Sequence, residues 1–275
     1  MTKFGIMQGR LVPPDGGRLQ SFPRARWSDE FALAASVPLS YIEWIYDAYG
    51  ENINPLCTAE GEKDLLTLQR AHGVQLRSMC ADWFMDFPLL RCSDEEQRLR
   101  QKFLTRLLKS ADTVGITRIV LPFVDASRID NSEDAKIVCR VLQQALPLAE
   151  ETGIELHLET SLDPTMFAAL LDCMQHPLVK VNYDIGNSAS LGYSPAEEFA
   201  AYGMRIGSVH IKDRILGGGT VPLGQGNADF EDVFARLKLI GYSGDFTMQI
   251  ARGEPDHEVS WAQQNLAFIL RYWKS

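Results

Sequence analysis

No stretch of this 275-residue chain approaches the roughly 18 uninterrupted apolar residues that a membrane span requires. Nor does any long apolar run precede Gln8, Gly9 and Arg10, so no signal peptide is expected. Cys-x-x-Cys pairs are missing as well. The cysteines (Cys57, Cys80, Cys92, Cys139 and Cys173) are odd in number and scattered, which suits reduced thiols in a cytoplasm better than a disulfide framework. Positive charge is in short supply: 27 Lys and Arg face 36 Asp and Glu, leaving a formal charge of −9. That balance argues against nucleic acid or an anionic membrane as the main partner. Gly-x-Gly-x-x-Gly does not follow the first apolar run, which removes the usual mark of a dinucleotide-binding open sheet. What remains is the expectation of a soluble cytoplasmic protein with a small-molecule partner. A homo-oligomer is left open.

The chain does have an almost unbroken alternation of short apolar runs and amphipathic segments. The runs Phe4–Met7, Tyr41–Ile45, Val74–Cys80, Arg118–Phe123, Ile154–Glu159, Val179–Tyr183, Ile206–Ile211 and Phe246–Ile250 read as strands. Several are nearly continuous in apolar residues, as strands covered on both faces are. Helix punctuation lies between them. Ser93 and Glu96 form a capping box, and the helix they open should stop near Gly115. Asp163-Pro164 and Ser194-Pro195 place a capping oxygen ahead of a proline at the first helical position. Gly73, Gly153 and Gly241 stand where helices should end before strands. Eight strand–helix units predict an α/β fold, a single (β/α)8 TIM barrel spanning residues 1–275 as one domain, rather than a doubly wound open sheet.

Barrels of this kind carry their chemistry at the C-terminal strand ends. Four consecutive strands end in a residue able to bind a metal: Glu159 on the fifth, Asp184 on the sixth, His210 on the seventh and Gln249 on the eighth. One such residue alone is more often a helix cap or a solvated side chain. Four at the same relative height are not easily explained that way. Two carboxylates, an imidazole and an amide oxygen suit one divalent ion (Mn, Mg, Co or Zn) better than a soft thiolate-seeking metal.

These residues sit in longer motifs: His157-Leu158-Glu159, Tyr183-Asp184-Ile185-Gly186-Asn187, Val209-His210-Ile211-Lys212-Asp213, Gly224-Gln225-Gly226 and Gly241-Tyr242-Ser243-Gly244. In them the chain resembles the xylose-isomerase-like family of sugar and sugar-phosphate isomerases and epimerases, which also holds inosose dehydratases and the endonuclease IV branch. The resemblance runs from Lys3-Phe4-Gly5-Ile6 onward and speaks for fold more than substrate. It implies that Glu159, Asp184, His210 and Gln249 are metal ligands and that Asn187 helps hold the substrate's oxygens. It also favours a substrate-binding role for Glu43 at the end of the second strand, the alternative being a structural hydrogen bond. One departure stands out. Ketose 3-epimerases carry a glutamate as the strand-eight ligand and use it as a second base, whereas this chain has Gln249, whose amide cannot accept a proton near neutral pH. Glu159 is then left as the one ligand carboxylate placed for proton transfer.

Other residues are read with alternatives. Trp83, after the third strand with Asp82 and Phe84, either stacks on a sugar face or packs its loop. Arg10, with Arg18, Arg24 and Arg26 in a proline-rich first loop, either holds a substrate phosphate or carboxylate or is ordinary surface arginine. His157 is read as a packed barrel-interior histidine, and His72, His176 and His257 as solvated residues at helix boundaries. Gly217-Gly218-Gly219 either brings backbone amides to an anion or is a mobile loop. The expected activity is that of a metal-dependent sugar or sugar-phosphate isomerase or epimerase, with Glu159 abstracting a proton next to a carbonyl. The alternatives are an inosose-dehydratase-like lyase and a non-catalytic sugar-binding barrel. A DNA-repair phosphodiesterase fits less well, because few histidines are available for several zinc ions.

Overall fold

Each of the eight apolar runs forms a strand, within one or two residues of the expected bounds. The computed structural model describes residues 2–273. Its strands are β1 (Phe4–Met7), β2 (Tyr41–Ile45), β3 (Gln75–Cys80), β4 (Arg118–Phe123), β5 (Glu155–Thr160), β6 (Val179–Asp184), β7 (Ile206–Ile211) and β8 (Asp245–Met248). They close into a barrel in the order β1-β8-β7-β6-β5-β4-β3-β2, every pair parallel. The fold is a (β/α)8 TIM barrel.

The surrounding helices are α1 (Asp29–Ser36), α2 (Ala59–His72), the single turn α3 (Trp83–Asp86), α4 (Asp94–Val114) and α5 (Ser132–Thr152). Then come α6 (Pro164–Asp172), α7 (Ile185–Leu191), α8 (Pro195–Tyr202), α9 (Phe230–Leu239) and α10 (Glu258–Ile269). The punctuation works largely as read. Ser93 and Glu96 cap α4 reciprocally, and Gly115 ends it in the left-handed conformation. Asp163 accepts from the backbone of Thr165 and Met166, while Ser194 makes no such side-chain bond at α8. No described helix is long and apolar enough to cross a membrane.

Register decides which side chains share the barrel interior. Paired residues of parallel strands face the same side, so Met7, Glu43 and Ser78 lie in one row, as do Asn182 and Ser208. The next step up sets Asp184 beside His210 and His210 beside Thr247. The interior is therefore strongly polar, in contrast to the branched apolar layers usual in such barrels. Gly5 is required on β1 because the Tyr41 ring crosses its inner face; a Cβ there would lie 2.4 Å from the ring. The apolar core lies instead between strands and helices, where Trp44, Phe31, Phe246 and Phe234 are fully buried.

One expectation fails among the cysteines. Cys139 on α5 and Cys173 after α6 face each other across adjacent helices and are joined as a disulfide, with Cα atoms 6.6 Å apart. Cys57, Cys80 and Cys92 are free thiols.

Candidate active site

Side-chain alternation along β5 to β7 fixes the heart of the site. Asp184 ends β6, Glu159 and His210 each stand one residue before the ends of β5 and β7, all three face inward, and their ligating atoms fall within 4.8 Å of one another. All three side chains are buried. His210 is held from below: its Nε2 lies 2.6 Å from Glu43 Oε1, and Glu43 Oε2 accepts from the Thr247 hydroxyl at 3.2 Å. Its other nitrogen, Nδ1, is buried and makes no hydrogen bond, although Glu159 Oε2 and Asp184 Oδ2 lie 3.4 and 3.9 Å away. A buried imidazole nitrogen aimed between two carboxylates and without a hydrogen-bond partner is an arrangement that could hold a metal ion.

The electrostatics agree. Burial alone would lower the His210 pKa, but Glu43 and Glu159 outweigh it and raise the imidazole to about 10. The same partner brings Glu43 down to about 2 against the upward push of its own burial. Burial also works against ionised Glu159, yet His210, Lys212 and Asn182 hold its pKa below the ordinary range. Asp184 is raised, chiefly by burial. A divalent ion at Nδ1 would take the place of the imidazole proton and neutralise both carboxylates.

Glu159 is fixed at both oxygens. Asn187 Nδ2 donates to Oε1 at 2.6 Å and Asn182 Nδ2 donates to Oε2 at 2.9 Å. Beneath it a hydrogen-bonded column runs down the barrel: Ser208 Oγ donates to Asn182 Oδ1, His157 Nδ1 meets Ser208 Oγ, and His157 Nε2 meets Glu155. His157 is thus the packed interior histidine that the sequence reading favoured. Gln249 lies just past β8, its backbone N–H still bonded to Ile211 O at 3.0 Å. Lys212 Nζ reaches both Gln249 Oε1, at 3.2 Å, and Asp184 Oδ2, at 3.3 Å.

A cavity of about 360 Å³ opens over these groups, lined by Glu159, Asn187, Lys212, Arg214, Gln249 and Asp82 among others. Asp82 follows β3. Burial raises its carboxyl to about 6, in spite of hydrogen bonds from Cys80 and from Gln20, which donates through Nε2 at 2.7 Å. Gln20 Oε1 in turn accepts from Gln249 Nε2 at 2.8 Å and from Arg10 Nη2 at 3.1 Å. Since arginine can only donate, Arg10 fixes which way the Gln20 amide points. A larger hollow, about 460 Å³, lies at the opposite mouth, lined by Arg77, Arg118, Glu155, Lys180 and Asp245. Its charges pair with one another, Glu155 with Lys180 and Asp245 with Arg77 and Arg118. The converging side chains of Glu159, Asp184 and His210 lie at the other end, which makes that mouth the candidate site.

Three expected substrate contacts are placed elsewhere. Arg10 stands behind the cavity wall, its guanidinium donating to Ile250 O, Leu19 O and Gln20. Glu43 lies beneath His210 and cannot meet a ligand in the cavity. Trp83 does not offer a face to a sugar: Phe103 stacks on it at 4.0 Å, Phe87 covers it at 4.4 Å, and its Nε1 donates to Glu51. The arginine cluster is likewise occupied. Arg24 pairs with Asp15, Arg26 pairs with Asp29, and Arg18 lies over the Tyr49 ring. The cavity's cations are instead Lys212 and Arg214, whose Nη1 donates to Asn187 Oδ1 at 2.8 Å. Lys212 and Arg214 follow a strand end directly, which is the signal that could have found them. Gln20 had none, because only the folded first loop brings it to the site.

Comparison with known proteins agrees with the barrel fold. The model of the xylose isomerase-like TIM barrel family matches residues 31–272. L-ribulose-5-phosphate 3-epimerase UlaE of Shigella flexneri is 26% identical over 234 residues, 82% of each chain. Among solved structures, the IOLI protein with a binding zinc atom superposes with a TM-score of 0.80 at 17% identity over 100% of both chains. D-allulose 3-epimerase from Methylomonas sp. in complex with D-allulose gives 0.75 at 18% identity, over 99% of this chain and 97% of that one. By its barrel, its strand-end residues and the family model that spans most of its length, the chain belongs to the xylose isomerase-like TIM barrel family.

Proposed function

We propose that the protein is a divalent-metal-dependent isomerase or epimerase of small ketoses or their phosphates, acting by proton abstraction beside a carbonyl. The observation that carries this reading is the unpartnered Nδ1 of His210, aimed between Glu159 and Asp184. Glu159, Asp184 and His210, with the amide oxygen of Gln249, would hold the ion. The zinc in the IOLI structure and the ketose substrates named for the UlaE and D-allulose relatives support the same reading. When bound, such an ion supplies a Lewis acid for the substrate's carbonyl and hydroxyl oxygens.

The chain's own residues then have defined tasks. Glu159 takes the proton from the carbon beside the carbonyl. Asn187 and Asn182 keep its carboxylate in one orientation, so reaction costs no reorganisation there. Lys212, between Asp184 and Gln249, places a positive charge where an enediolate oxygen would develop. Lys212 and Arg214 are also the cations available to an anionic substrate such as a ketose phosphate.

The test is exchange of substrate protons with solvent. Metal-loaded protein incubated in D2O with a panel of ketoses and ketose phosphates should introduce deuterium beside the carbonyl without change in heavy-atom composition. Glu159→Gln should reduce that incorporation by at least a thousandfold. Near wild-type incorporation by the variant would place the base elsewhere, and loss of water from the substrate would assign the protein to the lyases.

A further inference from the structure

The hollow at the N-terminal mouth of the barrel has no part in the function proposed above. Arg118, Glu155 and Asp245 are the first residues of β4, β5 and β8 there. β4 and β8 stand opposite each other, four strands apart in either direction around the barrel. Arg118 crosses between them, its Nη1 donating to Asp245 Oδ2 at 3.0 Å, and the same oxygen accepts from Arg77 Nε at 3.0 Å. The guanidinium of Arg118 also lies 5.2 Å from the centre of the Tyr41 ring. Its side chain is only 5% exposed, and its buried Nε and Nη2 have no hydrogen-bond partner among the described residues. Those two nitrogens form the side edge of the guanidinium, whose parallel N–H bonds match the two oxygens of a carboxylate or phosphate. A buried donor without an acceptor is costly, and the chain supplies no acceptor for this edge.

We propose that this hollow binds a small oxyanion, a carboxylate or phosphate group, against the Nε and Nη2 edge of Arg118, with Arg77 and Lys180 as its further cations. The hollow measures about 460 Å³, and its charged lining is three cations to two carboxylates, an excess of positive charge on a chain whose formal charge is −9. Among the described residues Arg77 uses only Nε, on Asp245, so its two terminal nitrogens remain for a ligand. Lys180, bonded to Glu155 Oε1, stands on the neighbouring wall. Glycine keeps the space open. The motif Gly241-Tyr242-Ser243-Gly244, to which the proposed reaction gives no task, lines the hollow with Gly207, and a Cβ on Gly207 would stand 2.6 Å from Lys180 Cδ. The site lies at the opposite end of the barrel from Glu159, Asp184 and His210, and it does not depend on the reaction assigned to them.

The experiment titrates the full chain with sodium phosphate and with sodium acetate, against sodium chloride at matched ionic strength, and reads binding heat and thermal midpoint. At least one of the two oxyanions should bind saturably and raise the midpoint, and the tighter of them identifies the group as phosphate or carboxylate. Arg118→Lys keeps the charge but removes the side edge, and should weaken that binding at least tenfold, the effect of about one charge-assisted hydrogen bond. Arg214→Met, at the other mouth, should leave the affinity unchanged. If Arg118→Lys does not fold, Arg77→Met and Lys180→Met, which leave Arg118 on Asp245, should each weaken binding in its place. A wild type that binds neither oxyanion beyond the chloride control overturns the inference. So does binding that keeps its affinity in these variants and is lost in Arg214→Met, which would put the anion in the cavity over Glu159 instead.

Discussion

Glu43 shows how much one side chain can matter without touching a ligand. Fully buried, it accepts from His210 Nε2 and from Thr247, and so fixes the ring whose Nδ1 faces the candidate metal position. Partners of this kind set the tautomer and basicity of a metal-bound histidine, and losing one typically weakens metal affinity by about ten- to a hundredfold. Glu43→Gln should therefore bind zinc that much more weakly in a competition titration with a chromogenic chelator. The same substitution should leave the pattern of solvent-exchanged substrate positions unchanged, because Glu159 keeps both of its asparagine donors. A variant with full zinc affinity would reduce Glu43 to packing.

At the scale of elements, the loop after β7 explains two motifs that seemed separate in the sequence. Asp213, fully buried, accepts from the backbone N–H groups of Gly224, Gly226 and Ala228. It thereby folds Gly224-Gln225-Gly226 back over the short antiparallel pair Asp213–Arg214 and Thr220–Val221. A Cβ on Gly226 would stand 2.1 Å from Asp213 Oδ1, so the close approach demands glycine. Asp213→Ala strands three donors and should cost about 2–4 kcal/mol in urea unfolding. A loss below ~0.5 kcal/mol would mean that water replaces the carboxylate. The strands and most helix ends were legible because alternation, proline and glycine are local signals. That Glu159, Asp184, His210 and Gln249 gather at one mouth was legible as well, since each lies within one residue of a strand's C-terminal end. Arg10, Glu43 and Trp83 were not, because what occupies a buried guanidinium, carboxylate or indole face is set by partners such as Gln20, His210 and Phe103, remote in sequence.

Over the whole molecule, the two mouths of the barrel have opposite electrostatic characters. The far mouth is lined by paired charges, and Glu155 is its best acid probe. Burial alone would raise its carboxyl, but His157 and Lys180 outweigh that and bring it to about 2. The folded value lies below the unfolded one of about 4.3, so the stabilisation is fully present above that pH and disappears as pH falls through about 2. Glu155→Gln should then cost about 2 kcal/mol at pH 7, after discounting for partial exposure, and nothing measurable near pH 2. Urea unfolding of both proteins across that range checks the sign. A penalty that persists in acid would identify shape, not charge, as what Glu155 contributes.

The row Gln249, Gln20 and Asp82 also has a consequence for how such a protein can change over generations. Glutamine and glutamate codons differ by a single base, so Gln249→Glu is always within one mutation. Yet Arg10 keeps the Gln20 oxygen turned toward residue 249, and an oxygen facing a carboxylate there is repelled unless that carboxylate keeps a proton. Substitutions at positions 249 and 20 are therefore epistatic: the order in which they arise decides whether the intermediate sequence works.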